Sequence, residues 1–165
     1  MKVIFLDIDG VLNNAFSKSK SATGCKGIDD DKLNLLKQIV EETGAKIVLT
    51  STWKFDWYRG EYDDLPPDGR YMVDRFKEVG LYIFDKTDDI LWSDRGKGVL
   101  KYLTKFNIEQ FCIIDDEMFD FVDCELTPYL VKTVFYSLNG GLNEEHVTKA
   151  INILNNPFCD KKKQA

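Results

Sequence analysis

Three short apolar runs break off directly into acids or hydroxyls, and this pattern constrains the fold more than any other feature of the chain. Lys2–Leu6 (KVIFL) runs into Asp7, residues 45–49 (AKIVL) into Thr50, Ser51 and Thr52, and residues 111–114 (FCII) into Asp115 and Asp116. Short runs of β-formers without polar alternation suit central strands of a parallel sheet, buried on both faces. Residues 81–84 and 130–134 read as two further strands. Between them lie helical patterns. Asp29, Asp30 and Asp31 open a helix, Leu33, Leu36, Ile39 and Val40 follow at three-to-four spacing, and Gly44 supplies the stop. The acids are read as N-terminal charges that favour the helix dipole. The spacing predicts further helices over about 71–79, 96–106 and 143–154. Residues 13–27 read as a loop, and Pro66, Pro67, Asp68 and Gly69 as a turn.

Strands alternating with helices predict an α/β fold, with a mostly parallel central sheet and helices on both faces. No repeat or linker interrupts the 165 residues, so the expectation is one domain over 1–159 with a polar tail at 160–165. Apolar residues at 44 % and charged residues at 30 % supply a core and argue against disorder. A net charge of −6 counts against a broad basic face for nucleic acid, though a local basic patch or a bound cation remains compatible. The apolar runs are far below the roughly 18 to 20 residues of a membrane span. Asp7 and Asp9 interrupt the N-terminal stretch, which therefore does not read as a signal peptide. Cys25, Cys112, Cys124 and Cys159 are scattered with no CxxC pair, and His146 reads as a surface residue. This set suits reduced thiols in a cytoplasmic protein rather than a zinc site.

In an open parallel sheet the ligand site lies beyond the carboxyl ends of the strands. That edge would gather Asp7, Asp9, Asp115 and Asp116 with the hydroxyls of Thr50 and Ser51. Carboxylates packed together raise one another's pKa and attract a cation, and hard oxygen ligands favour Mg2+.

These residues carry a family resemblance. Asp7-Ile8-Asp9-Gly10-Val11-Leu12 after a hydrophobic strand resembles the first motif, DxDGxL, of the haloacid dehalogenase (HAD) superfamily. Thr50 and Ser51 at the end of KIVLTS resemble the second motif, and Lys97 at a helix start the third. Ile113-Ile114-Asp115-Asp116, with Asp120 four residues beyond Asp116, resembles the acidic fourth motif. A narrower likeness, through DIDGVLN, IVLTSTWK, RGKGVLKYL, CIIDDEMFD and GLNEEHVTKAINIL, spans nearly the whole chain. It is to the HAD domain of Swiss Army Knife RNA repair proteins. The chain departs from that subgroup at RGKG, where Gly98 stands in place of an acidic residue. The phosphate-facing cation is therefore open between Lys97, which the general pattern favours, and Arg95.

The resemblance implies a HAD-like Rossmannoid fold and a Mg2+-dependent phosphomonoester hydrolase. Asp7 would attack phosphorus to form an aspartyl-phosphate, and Asp9 would act first as acid and then as base. Asp7, Asp116 and the main-chain carbonyl of Asp9 would hold Mg2+, with Asp115 joining directly or through water. Thr50 or Ser51, with Thr50 favoured because it ends the apolar run, and Lys97 or Arg95 would bind the phosphoryl oxygens. Gly10 would let the chain turn beside the ligand.

The intervals 13–45 and 53–94 leave no room for a substantial cap, so a minimal or absent cap domain is expected. Within the superfamily an open site often goes with bulky substrates, and an RNA or DNA end or a nucleotide is the expected phosphorylated partner. Trp53, Trp57 and Tyr58 are placed to stack on a base or to pack the core, the latter being favoured. Lys161, Lys162 and Lys163 read as a solvated tail. Two alternatives remain. One is a small-molecule phosphatase or phosphotransferase, with loop 13–27 or a second subunit as lid. The other is a non-enzymatic phospho-acceptor, disfavoured because the DxD comes first and Asp9 supplies the group that would release phosphate. The sequence carries no signal for oligomeric state.

Overall fold

A computed structural model describes residues 1–156 apart from 89 and 92, so the tail expected at 160–165 lies outside the described residues. In chain order the regular elements are β1 (Lys2–Leu6), α1 (Asp30–Thr43), β2 (Lys46–Leu49), α2 (Pro67–Glu78), β3 (Ile83–Lys86), α3 (Arg95–Lys105), β4 (Gln110–Asp115), β5 (Leu130–Lys132) and α4 (Glu144–Asn155). All five strands are parallel, in the order β3-β2-β1-β4-β5. The result is an α/β Rossmannoid sheet with β1 at its centre.

Successive side chains of a strand face opposite ways, and that alternation divides the core in two. Ile4 and Leu6 of β1 pack with Leu33, Leu36 and Ile39 of α1, Met72 and Phe76 of α2, and Val147 and Ala150 of α4. Val3 and Phe5 pack on the other side with Val99 and Tyr102 of α3, and with Phe121 and Leu126 from the segment after β4. Helices therefore cover both faces, three on one and α3 on the other.

The structure moves several expected boundaries. The prolines read as a turn start a helix instead: α2 begins at Pro67, with Pro66 as its N-cap. Proline suits this position because its fixed φ is helical and the N–H it lacks would have no partner there. Gly69 faces Asp56, and a Cβ would stand 1.9 Å from the Asp56 carbonyl oxygen, so this helix packs only through a glycine. β3 begins at Ile83 rather than 81, because Leu81 donates its N–H back to the Phe76 carbonyl and so completes the end of α2. β5 ends at Lys132 rather than 134. Between β2 and α2 lie two 3-10 turns, Thr52–Asp56 and Tyr62–Asp64. The loop after β1 folds back on itself through one antiparallel bridge between Lys20 and Lys26. His146, read as a surface residue, is half-buried in the first turn of α4, and burial pulls its pKa down. No inserted cap domain occurs among the described residues, and no helix among them is long and apolar enough to cross a membrane.

Candidate active site

The three strands that break off into polar residues are neighbours. Leu6 lies opposite Leu49 on one side and Ile114 on the other, so Asp7 emerges between Thr50 and Asp115. The Asp7 N–H donates to the Ile114 carbonyl (3.0 Å) and the Thr50 N–H to the Leu6 carbonyl (2.9 Å), which carries the sheet's pairing one residue into the site. One carboxylate oxygen from each of Asp7, Asp115 and Asp116 lies within 4.8 Å of the others. Asp7 and Asp115 are buried and Asp116 is half-buried.

Among the described residues, Arg95 is the cation that pairs with this cluster. Arg95, at the first position of α3, places Nη1 2.9 Å from Asp7 Oδ1 and 2.6 Å from Asp115 Oδ2. Its guanidinium also stacks on the Phe119 ring at 4.3 Å. Phe119 has φ +39°, a left-handed conformation that costs a non-glycine residue energy, and here it sets the ring against the arginine. Lys97 does not join the cluster. Its side chain is 68 % exposed and pairs with Asp94 at 3.0 Å, one turn back on the solvent side of α3. Of the two basic residues left open by the sequence, Arg95 and not Lys97 therefore reaches the carboxylate cluster. In a helix beginning at residue 95, the two side chains point about 200° apart, and only the first faces the strand ends. Asp120 serves the same helix. Its carboxylate accepts the N–H groups of Gly96 (2.6 Å) and Lys97 (3.1 Å), two of the unpaired donors at the start of α3.

Two buried acids and one half-buried acid around one guanidinium leave the site with net negative charge, and the titration follows. Burial, then the neighbouring Asp7, pushes the Asp115 carboxyl up to about 8 despite Arg95. The same two causes raise Asp116 to about 6. Burial also raises Asp7, against the opposing pull of Arg95 and of a hydrogen bond from Ser51. Such a pocket favours a bound cation, and its all-carboxylate donor set suits Mg2+. A second feature fits a phosphate ligand: Thr50 Oγ1 is buried with no hydrogen-bond partner among the described residues, an orphan that a ligand oxygen would satisfy. Ser51 instead bonds Asp7, and its hydroxyl also accepts the Trp53 N–H.

Asp9 stands apart from the carboxylate cluster. Its Oδ1 accepts from Asn13 Nδ2 (2.9 Å) and its Oδ2 from the indole Nε1 of Trp53 (3.0 Å). It lines a cavity of about 440 Å³ with Cys25, Lys26, Trp53, Asp68 and Phe135. Trp53 and Trp57 are both buried, which leaves Tyr58 as the exposed member of the aromatic trio. Gly10 closes the turn beside Asp9 at φ +81°, and a Cβ there would sit 2.3 Å from Asp116 Cγ. Gly10→Ala is therefore expected to displace Asp116 and to cost about 1–3 kcal/mol from backbone strain alone. With Asp116 as a proposed Mg2+ ligand, isothermal titration should show Mg2+ affinity falling about tenfold or more.

Sequence reasoning brought Asp7, Asp9, Thr50, Ser51, Asp115 and Asp116 to this edge and named Arg95 as the second choice. It missed Asn13, which holds both the Gly10 N–H and Asp9, and Thr133, whose hydroxyl donates to the Gly10 carbonyl at 2.6 Å. It also missed Phe119 and the bond from Trp53 to Asp9. The only available signal was the buried-polar pattern of NN after DGVL; nothing local marks Thr133 or Phe119.

A family profile described as the HAD domain in Swiss Army Knife RNA repair proteins matches residues 3–147. No curated protein matches the chain.

Proposed function

The chain belongs to the family of HAD domains in Swiss Army Knife RNA repair proteins, and from that premise we propose that it is a Mg2+-dependent phosphomonoesterase with Asp7 as nucleophile. The observation that carries the reading is the buried Asp7 carboxylate, fixed on one oxygen by Arg95 and within a coordination sphere of Asp115 and Asp116. Asp7 attacks phosphorus as the bond to the leaving oxygen breaks, and Asp9 gives that oxygen its proton. Asp9 then takes a proton from the water that cleaves the aspartyl-phosphate, returning Asp7 as carboxylate. Arg95 and the Thr50 hydroxyl are the preorganised donors for the phosphoryl oxygens, while the Ser51 hydroxyl stays on Asp7. Asp7, Asp116 and the Asp9 carbonyl, with Asp115 supporting, would hold Mg2+, which would supply the positive charge that lets an anionic carboxylate approach an anionic phosphate. The Asp9 side chain keeps its role outside the ligand set.

The family's RNA repair context and the absence of an inserted cap among the described residues support the terminal phosphate of a nucleic acid or nucleotide as substrate. One observation favours a small phosphorylated metabolite instead. The cavity beside Asp9 is walled by Asp56 and Asp68 against the single Lys26, and acids there repel a polyanionic strand. Hydrolysis of 3′- and 5′-phosphorylated oligonucleotides, nucleotides and sugar phosphates, with Mg2+ and with chelator, tests both. Failure to release phosphate from any of them under Mg2+ would remove the proposal.

The titration of the metal-free cluster sets a further expectation. Folded Asp116 and Asp115 hold protons up to about 6 and about 8, whereas an unfolded chain releases them in the ordinary carboxylate range. The folded state thus binds more protons across that window, and metal-free stability should fall as pH rises from about 4 to about 8. Mg2+ must displace those protons, so its affinity should weaken as pH drops from about 8 to about 6. Urea unfolding at several pH values, and titration calorimetry in buffers of different ionisation enthalpy, would show the reversed slope and the proton release.

A further inference from the structure

Trp53 follows the Thr50–Ser51–Thr52 run, and its turn is fastened when the Ser51 hydroxyl accepts the Trp53 N–H. The indole is 8 % exposed and lies tilted against Tyr71, with ring centroids 6.3 Å apart, so its orientation is set by packing rather than by solvent. Tyr71 in turn accepts the Ile28 N–H (3.0 Å), which ties the indole's neighbour to the loop after β1. Within this frame Nε1–H reaches Asp9 Oδ2 at 3.0 Å. Asn13 holds the other oxygen, and Asn13 is itself fully buried and bonded to the Gly27 carbonyl.

We propose that Trp53 is the positioning residue of the acid/base Asp9, aiming its carboxyl into the cavity through which the leaving group departs. The inference rests on the phosphatase reading and deepens it. An indole N–H donates only and never accepts. It therefore takes no proton from Asp9, and its bond strengthens once Asp9 has given its proton to the leaving oxygen. That strengthening comes in step with cleavage, where stabilisation accelerates the reaction. Because the Trp53 turn follows Thr50 directly, with Ser51 as its N-cap, the acid is also held in register with the phosphoryl group.

The test separates a positioning role from simple packing. Trp53→Phe keeps a ring and deletes the donor. kcat/KM reports events through leaving-group departure, and only a poor leaving group needs the proton. The variant should lose about tenfold or more in kcat/KM on an alkyl ester such as glycerol phosphate, part of the 10²–10⁴ that general acid catalysis supplies. On p-nitrophenyl phosphate, whose leaving group departs as an anion, kcat/KM should stay within about threefold of wild type. Equal losses on both esters, or no loss on either, would overturn the proposal. Wild-type protein that hydrolyses neither ester would overturn the phosphatase reading itself. Should Trp53→Phe fail to fold, a second readout decides. The assigned Trp53 indole N–H resonance of the full chain should move upfield in Asp9→Ala as its acceptor is lost, and an unmoved resonance refutes the contact.

Discussion

Replacing Asp7 with Asn is expected to cut phosphate release by about 10⁴ or more, because an amide cannot serve as the proposed nucleophile. The fold should survive. Asn keeps the shape of the side chain while deleting a charge that burial disfavours, as the raised pKa of Asp7 records. Deletion also removes the repulsion that Asp7 exerts on Asp115 and Asp116. Against this stands the lost bond to Arg95, which keeps Asp115 as its partner at 2.6 Å. The sum at pH 8 should lie within about 1 kcal/mol of wild type, on the stable side. Urea unfolding beside a phosphate-release assay checks both halves. Full-rate hydrolysis by Asp7→Asn would end the nucleophile assignment, and a large loss of stability would mean that the acid holds the fold together.

Arg95→Met should produce the largest loss of stability. The guanidinium faces Asp7 and Asp115, and its removal takes from two buried carboxylates the cation they share. Breaking a buried pair in this way costs about 3–5 kcal/mol. The cost should shrink toward pH 5, because the carboxyls then take up protons in place of the lost partner. Saturating Mg2+ should recover part of it by mass action. Mg2+ affinity and phosphate affinity should move in opposite directions: the metal tightens in a more negative pocket, while the phosphoryl group loses a donor and turnover falls about 10²–10³. Lys97→Met makes the contrast. Its ammonium is largely exposed and paired only with Asp94, so stability should change by no more than about 0.5 kcal/mol and turnover should hold. The reverse pattern, with Lys97 essential and Arg95 dispensable, would refute the assignment of the cation. A lysine at 95 should rescue charge but not the planar contact with Phe119, giving partial recovery.

The site was legible in the sequence to the extent that its residues lie at strand ends. An apolar run giving way to Asp7, another to Thr50 and a third to Asp115 mark the strand ends, since charge is costly in the buried middle of a sheet, and Asp115 is the last residue of β4. The parallel α/β architecture followed from the alternation of those runs with helical spacing. Boundaries set by tertiary contact were not legible. Pro67 starts α2 rather than a turn, and Gly69 presses that helix against the Asp56 carbonyl, a contact made across the fold. Likewise, residue 81 is drawn into the helix end instead of the strand.

What the sequence determined by itself was the inventory: which acids and hydroxyls end strands, and that a parallel sheet would carry them to one edge. Only the folded chain decided which strands adjoin, and so that Asp7 stands between Thr50 and Asp115 rather than remote from either. It also decided that Arg95 and not Lys97 turns inward, and that Trp53 holds Asp9. The reason is range. Hydrophobic patterning acts along a few residues and is written in local spacing. Helix phase at an N-terminus, strand order and side-chain contacts between residues 44 positions apart are instead settled by packing, which no local window contains.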